Sequence, residues 1–303
     1  TGITKTFVPF YSSFPEIFRN FAERNFTPNA IMKAKKVLFI TQELTPYVPE
    51  SPMSVIGRKL PQAIQDSGRE IRTFMPRWGN INERRNQLHE VIRLSGMNII
   101  IDDTDHPLII KVASIQAARM QVYFIDNDEY FHKRKMMSDD NGNEYEDNAE
   151  RAIFYARGVL ETLKKLRWCP DVIHCHGWMS AIVPLYIKTA YREEPPFVNT
   201  KVIFSAYDEM PGKAPVPNFA ECLSFREANA DFLKGTGIDL TAADAYGKLA
   251  VTFSDGVIQG SEGIHPELME YARAKNIPTL EWPGEENLSE CYGNFYEQIA
   301  DAE

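Results

Sequence analysis

Short runs rich in β-branched and aromatic residues alternate with amphipathic segments along most of this 303-residue chain, and that alternation constrains the fold more than any other feature. Val37-Leu38-Phe39-Ile40-Thr41 is a continuous apolar run, as a strand buried on both faces requires. After a proline-rich loop, Met53 to Asp66 places Val55, Ile56, Leu60, Ala63 and Ile64 at helical spacing, and Gly68 stops the helix. Ile71 to Met75 reads as the next strand. Strand, helix and parallel strand form the unit of a doubly wound sheet.

The middle of the chain is richer in strands, with candidates at 90–94, 98–101, 108–112 and 121–125. Asp102 to Pro107 reads as a turn cluster between two of them. Its three carboxylates and His106 sit close together, but acidic turns of this kind are far commoner than metal sites, so no metal is assigned. Asp139 to Glu144 misses calcium-loop spacing, because its sixth position is Glu144 and not glycine. A long amphipathic helix is expected over 145–167. The alternation then resumes: strand 171–175, helix 178–191, strand 201–205, helices 219–233 and 241–251, strand 256–260 and helix 266–274. The proline-broken stretch 277–280 is given no strand. A last helix covers about 286–300. The fold class that follows is α/β: a single Rossmann-like, doubly wound, mostly parallel sheet over residues 32–303. Residues 1–31 are aromatic and broken by prolines, and are set apart as an extension or an upstream arm. They lack the basic start, continuous apolar core and cleavage site of a secretory signal.

Lys plus Arg is 33 against 42 for Asp plus Glu, a net charge of −9, so the chain lacks the basic excess of a general nucleic-acid binder. No run approaches the roughly 18 to 20 apolar residues of a membrane helix. Cys169, Cys175, Cys222 and Cys291 match no zinc or CxxC spacing and read as reduced thiols of a cytoplasmic protein. No cofactor is called for.

In a doubly wound sheet ligands bind at the carboxyl ends of the strands, so the loops after Thr41, Cys175 and Ser205 matter most. There the chain resembles the glycogen and starch synthases of glycosyltransferase family 5. Glu43-Leu44-Thr45-Pro46-Tyr47 followed by Leu60-Pro61-Gln62-Ala63-Ile64 is similar to the family's opening, and Val122-Tyr123-Phe124-Ile125-Asp126-Asn127 is similar to a later segment. Tyr145-Glu146-Asp147-Asn148-Ala149-Glu150-Arg151 resembles its Y-x-D-N-x-x-R-F segment. Pro170-Asp171-Val172-Ile173-His174-Cys175-His176-Gly177-Trp178 resembles its P-D-V-x-H-x-H-D-W. Co-linear motifs over roughly 36–259 are far more specific than any one alone. The resemblance implies the amino-terminal half of a GT-B fold and transfer of glucose from ADP-glucose or UDP-glucose to an α-1,4-glucan, a hexosyltransferase activity. It assigns His176 a catalytic place near the donor glucose, and makes Tyr47, Asp147, Asn148, Arg151 and Trp178 candidates for binding substrate.

The same comparison exposes departures. The family's phosphate-approaching K-T-G-G-L-A-D is matched without gaps by Pro49, Glu50, Ser51, Pro52, Met53, Ser54 and Val55. Two prolines remove amide donors and Glu50 repels phosphate. Gly177 stands where the family has aspartate, and Ser205-Ala206-Tyr207-Asp208 replaces T-I-H-N, so Tyr207 and Asp208 are altered positions as well. The R-x4-K and E-x7-E elements of the nucleotide-binding half have no counterpart, and 44 residues follow Gln259, fewer than a second such domain needs. Residues 287–297 resemble the family's final helix, which returns to the first domain, so a return helix over 286–300 is expected.

Three readings follow: a catalytically degenerate domain that binds a glucan, a nucleotide sugar or other metabolite, or a protein; a glucosyltransferase completed by a partner or a dimer; and a structural or regulatory protein that associates through the face a missing second domain would leave.

Overall fold

The first strand, β1 (Lys36–Thr41), is buried from Val37 to Thr41 because sheet neighbours flank it and helices cover both its faces. The computed structural model describes residues 32–302, so the expectations for residues 1–31 lie outside the described residues. After β1 come α1 (Pro52–Asp66) and β2 (Glu70–Pro76). Then come β3 (His89–Glu90), β4 (Met97–Ile101), β5 (Thr104–Ile115) and β6 (Met120–Asp126). The rest alternates: α2 (Asn148–Leu166), β7 (Val172–His176), α3 (Val183–Lys188), β8 (Lys201–Ala206), α4 (Phe219–Leu223), α5 (Ala230–Gly235) and α6 (Ala245–Thr252). It closes with β9 (Gly256–Gln259), α7 (Glu267–Ala274), β10 (Thr279–Leu280) and α8 (Leu288–Asp301).

The strands form one sheet in the order β10-β9-β8-β7-β1-β2-β6-β5-β3, with β4 pairing β5. From β10 to β6 every pairing is parallel, and β5 is antiparallel to β6, β3 and β4. The chain leaves β1 toward β2 and later returns on the other side of β1 as β7. That reversal is the switch point at which doubly wound sheets open a crevice.

Alternate side chains divide the core into two layers. Val37, Phe39, Val172, Ile203 and Ile258 pack beneath α1 and α8, through Ile56, Leu60 and Ile64 on one helix and Leu288, Tyr292, Phe295, Tyr296 and Ile299 on the other. Leu38, Ile40, Ile173, Cys175, Val202, Phe204 and Val257 face the other side, with Ile153, Leu160 and Leu163 of α2, Leu185 of α3 and Leu249 of α6. Each large apolar side chain so buried contributes about 1.5–3 kcal/mol. The helix expected at the carboxyl terminus thus lies on the domain with Tyr292 and Tyr296 fully buried.

Several local readings need correction. Strand 90–94 ends at Glu90, because Val91 donates to Ile110 O and Leu94 turns back to Val91 O, leaving Ile92 exposed. The turn expected at 102–107 is confined to Asp102 and Asp103, with Asp102 in the left-handed region, and Thr104 to Pro107 already pair with β4. His106 is buried between Tyr130 Oη (3.0 Å) and Glu129 Oε2 (3.1 Å), and among the described residues no acidic or histidine cluster is arranged for a metal. Helix 145–167 begins at Asn148. The segment 178–191 is a single turn over Trp178–Ser180 followed by the shorter α3. Helix 219–233 is two helices, since Phe225 and Ala228 bond to each other across a tight turn. Thr279 and Leu280 do form an edge strand, which needs few ladder bonds and so tolerates Pro278 just before it. Among the described residues no helix is long and apolar enough to cross a membrane. All four cysteines are free, with Cys175 and Cys222 buried and Cys169 exposed.

Candidate functional site

The carboxyl ends of β1, β7 and β8 lie side by side, with Thr41 paired to His176 and His176 to Ser205. The loops beyond them carry the candidate residues. After β1 the chain runs through Gln42 and Glu43 and the Thr45–Pro46 cis peptide to the start of α1. That loop lies so close to α1 that a Cβ on Gly57 would collide with the Glu43 carbonyl oxygen.

The start of α1 is closed by its own side chains. Ser51 is the N-cap: its hydroxyl accepts from Ser54 N at 3.0 Å, and Ser54 Oγ accepts from Ser51 N at 2.8 Å. Pro52 in the first turn has no amide to offer. The Ser51 hydroxyl in turn donates to the Glu43 carboxylate, which is 4 % exposed. The Glu43 carboxyl group thus already lies beside the positive end of the helix dipole, filling the place where an incoming anion would need to bind. Burial raises the Glu43 pKa to about 7; Ser51 and Gln42 hold it down, while the neighbouring Glu209 carboxyl raises it. Outside this cap is a cleft of about 640 Å³ whose walls include Glu50, Glu262, Glu285 and Trp282. Its mouth is acidic.

At the carboxyl end of β7, His176 is 1 % exposed. Its Nδ1 is 3.3 Å from Tyr207 Oη, and its ring lies 3.9 Å from that of His174. Burial pushes the His176 pKa down to about 3, so the ring is neutral near pH 7 and acts as a hydrogen-bonding group, not a cation. Tyr207 can approach because residue 260 is glycine: a Cβ there would lie 2.6 Å from the tyrosine ring. Gly177 adopts φ 79° and ψ 178°, a region that glycine alone occupies readily. A Cβ at Gly177 would overlap the Gln42 amide and lie 2.7 Å from Met53 Cε. Gln42 is fully buried, accepts from Met179 N at 3.1 Å through its side chain, and accepts from Trp78 Nε1 at 2.7 Å through its carbonyl. The space beside Gly177 is therefore filled.

The other candidates lie at the start of α2 and around it. Arg151 is fully buried, and donates to the carbonyls of Tyr130 (2.9 Å), Lys135 (2.7 Å) and Met136 (2.9 Å) and to Asn148 Oδ1 (2.9 Å). Its guanidinium also lies over the Trp78, Phe131 and Tyr145 rings. Asn148 binds Met137 O at 3.0 Å, and Asp147 pairs with Arg134 at 2.6 Å. These three residues fasten the loop over 130–137 to α2. Arg151, a substrate-binding candidate by its motif, here has its polar contacts in three backbone carbonyls and the Asn148 amide oxygen. Removing it leaves buried acceptors unpaired, so Arg151→Ala is expected to cost about 3–5 kcal/mol in urea denaturation and to open 130–137 to protease. Trp178 is buried with its ring 6.0 Å from that of Tyr246. Tyr47 is 7 % exposed, edge-on to Phe124, its phenol pushed up to about 12 by burial. Asp208 accepts from His265 N at 2.7 Å. Pro49 accepts from Ser54 Oγ at 3.0 Å through its carbonyl, and Val55 lines the cleft.

Sequence reading missed Gln42, Glu209 and Tyr155, whose Oη lies 2.9 Å from both Thr41 O and Phe74 O and so ties β1 to β2. The Ser51-x-x-Ser54 spacing with proline between is a helix-start signal that would have revealed the closed cap.

The comparisons with known proteins agree with this fold. The model of the starch synthase catalytic domain matches residues 36–279. The chain belongs to the starch synthase catalytic domain family. It is 37% identical over 174 residues to a glycogen synthase of Pelodictyon phaeoclathratiforme, covering 57% of this chain and 36% of that protein. It is 35% identical over 223 residues to the glycogen synthase of Chlorobaculum tepidum, covering 73% of this chain and 46% of that one. The chain thus spans less than half the length of these curated relatives. Among solved structures it is similar to the catalytic domain of starch synthase IV from Arabidopsis thaliana, solved with ADP and acarbose. The TM-score is 0.62 at 16% identity, over 82% of this chain and 51% of that one, a likeness of fold.

Proposed function

We propose that this chain is a starch synthase-family domain that binds an α-glucan, or another metabolite or protein presented at the same crevice, and does not itself transfer glucose. One observation carries the reading: the start of α1 is occupied by Ser51, Pro52 and the buried Glu43 carboxylate. Transfer from a sugar nucleotide needs preorganised positive charge or free amides at the diphosphate. Here the amide of Ser54 is taken, Pro52 has none, and Glu50 and Glu262 add negative potential, while Glu285 is paired with Lys59 at 2.6 Å. A neutral polyol meets none of these penalties. The carboxylates at the mouth are hydrogen-bond acceptors suited to hydroxyl groups. Four free cysteines fit a reducing compartment, which supports a cytoplasmic location.

A thermal-denaturation screen tests this on the full chain. A ligand at about 100 times its dissociation constant adds about 2.7 kcal/mol of stability. Maltoheptaose is expected to raise the melting temperature, and ADP, ADP-glucose and UDP-glucose to leave it unchanged. A clear rise with either sugar nucleotide contradicts the proposal.

A further inference from the structure

His174 lies two residues before His176 on β7, so the two rings share a face of the sheet. They stack at 3.9 Å with a tilt of 34°. Both His174 nitrogens are engaged: Nδ1 is 2.7 Å from Tyr296 Oη, and Nε2 is 2.7 Å from Ser205 Oγ. His174, Ser205 and Tyr296 are each 1 % exposed or less. Tyr296 arrives from α8, 122 residues further along the chain.

A neutral imidazole has one donor and one acceptor. A phenol is a stronger donor and a weaker acceptor than an alcohol. The favoured arrangement therefore has Tyr296 donating to Nδ1 while Nε2–H donates to Ser205 Oγ. Protonating His174 would force the Tyr296 hydroxyl to turn from donor to acceptor and place a cation against His176. The titratable groups around the pair are Tyr292 and Tyr296 on α8 and Tyr207 after β8, with Arg69 near Tyr296 and Glu43 near Tyr207. Two neighbouring carboxyl groups are already engaged: Glu297 with Arg69 at 3.1 Å, and Glu43 with Ser51. Burial and the neighbouring ring both hold His174 in its neutral form.

We propose that Tyr296 is a positioning residue for the site: its phenol donates to Nδ1 of His174, fixes that ring as the Nε2–H tautomer, and so sets the ring on which His176 stacks. The tautomer claim stands on geometry alone, and its effect on binding rests on the function proposed above.

Long-range proton–nitrogen NMR of the histidine-labelled full chain between pH 5.5 and 7.5 tests it. Wild type is expected to show His174 as a single Nε2–H tautomer throughout. Tyr296→Phe is expected to lose the single tautomer and shift the His176 nitrogens, while Ser205→Ala keeps Nδ1 as the acceptor. If wild-type His174 carries its proton on Nδ1, the proposal is overturned even should Tyr296→Phe fail to fold. It is also overturned if Tyr296→Phe keeps the tautomer and the His176 signals with α8 still docked. In a parallel titration with maltoheptaose, Tyr296→Phe is expected to bind at least about threefold more weakly. If wild type does not bind maltoheptaose, the glucan reading fails while the tautomer result stands.

Discussion

Gly177→Asp, which restores the residue that the family resemblance implies, is expected to destabilise this domain by at least about 4 kcal/mol. Two costs combine. Residue 177 has φ 79° and ψ 178°, where a side chain costs about 1–3 kcal/mol in backbone strain. The new carboxylate would also have to displace the fully buried Gln42 amide and Met53 Cε, and an ionised group without a partner is costly to bury. Gln42 cannot simply swing aside, because it accepts from Met179 N. Gly177→Ala isolates the strain and the first contact, and should cost less than the aspartate. Urea denaturation of the three proteins measures both. An aspartate variant as stable as wild type would mean that the crevice still accommodates the residue expected there, and that Gln42 does not fill the space.

Acid is expected to weaken the fold from about pH 6.5 downward, and Glu43→Gln to steepen the loss about twofold. His174 and His176 are neutral in the folded state, with pKa values depressed by burial, to about 3 for His176. An unfolded histidine titrates near pH 6.5. Below that pH the unfolded chain takes up two protons that the folded chain refuses, so their contribution is complete above about pH 6.5 and is lost as pH falls. Two protons correspond to about 2.7 kcal/mol per pH unit. Glu43 acts in the opposite sense. Its folded pKa is raised from 4.5 to about 7, so the folded state holds one extra proton in that window. Its contribution is complete below pH 4.5 and is lost as pH rises through 7. The net loss in wild type is then about 1.4 kcal/mol per pH unit between pH 6 and 5, and about 2.7 in Glu43→Gln, where the opposing group is gone. Denaturant midpoints at pH 7, 6 and 5 give both slopes. Equal slopes would show that Glu43 is ionised in the fold.

The parallel core was readable because burial on both faces imposes short apolar runs, as in Val37–Ile40, Val172–Ile173 and Val202–Phe204. Elements at the margins were not. Val91–Leu94 looks like a strand by composition, but Val91 bonds to β5 while Leu94 and Ser95 turn back onto Val91, and Phe225–Ala228 interrupts a helical pattern through one pair of backbone bonds. The site was half legible. Motif order pointed to the three loops at the carboxyl ends of β1, β7 and β8, and Pro49, Glu50, Ser51 and Pro52 in place of lysine and glycines pointed to a helix start without free amides. What the sequence hid was contact between distant residues: Gln42 beside Gly177, Glu43 on Ser51, and Tyr296 on His174. Arg151 shows the converse. Its place in a motif suggested substrate binding, whereas its geometry ties down the loop over 130–137.

The central claim is that the start of α1 no longer receives a diphosphate, and nucleotide release tests it most directly. The full chain is incubated with ADP-glucose or UDP-glucose and a maltooligosaccharide acceptor, and free ADP or UDP is quantified against a heat-inactivated control. The account predicts release indistinguishable from the control. Acceptor-dependent release by the purified chain would contradict it.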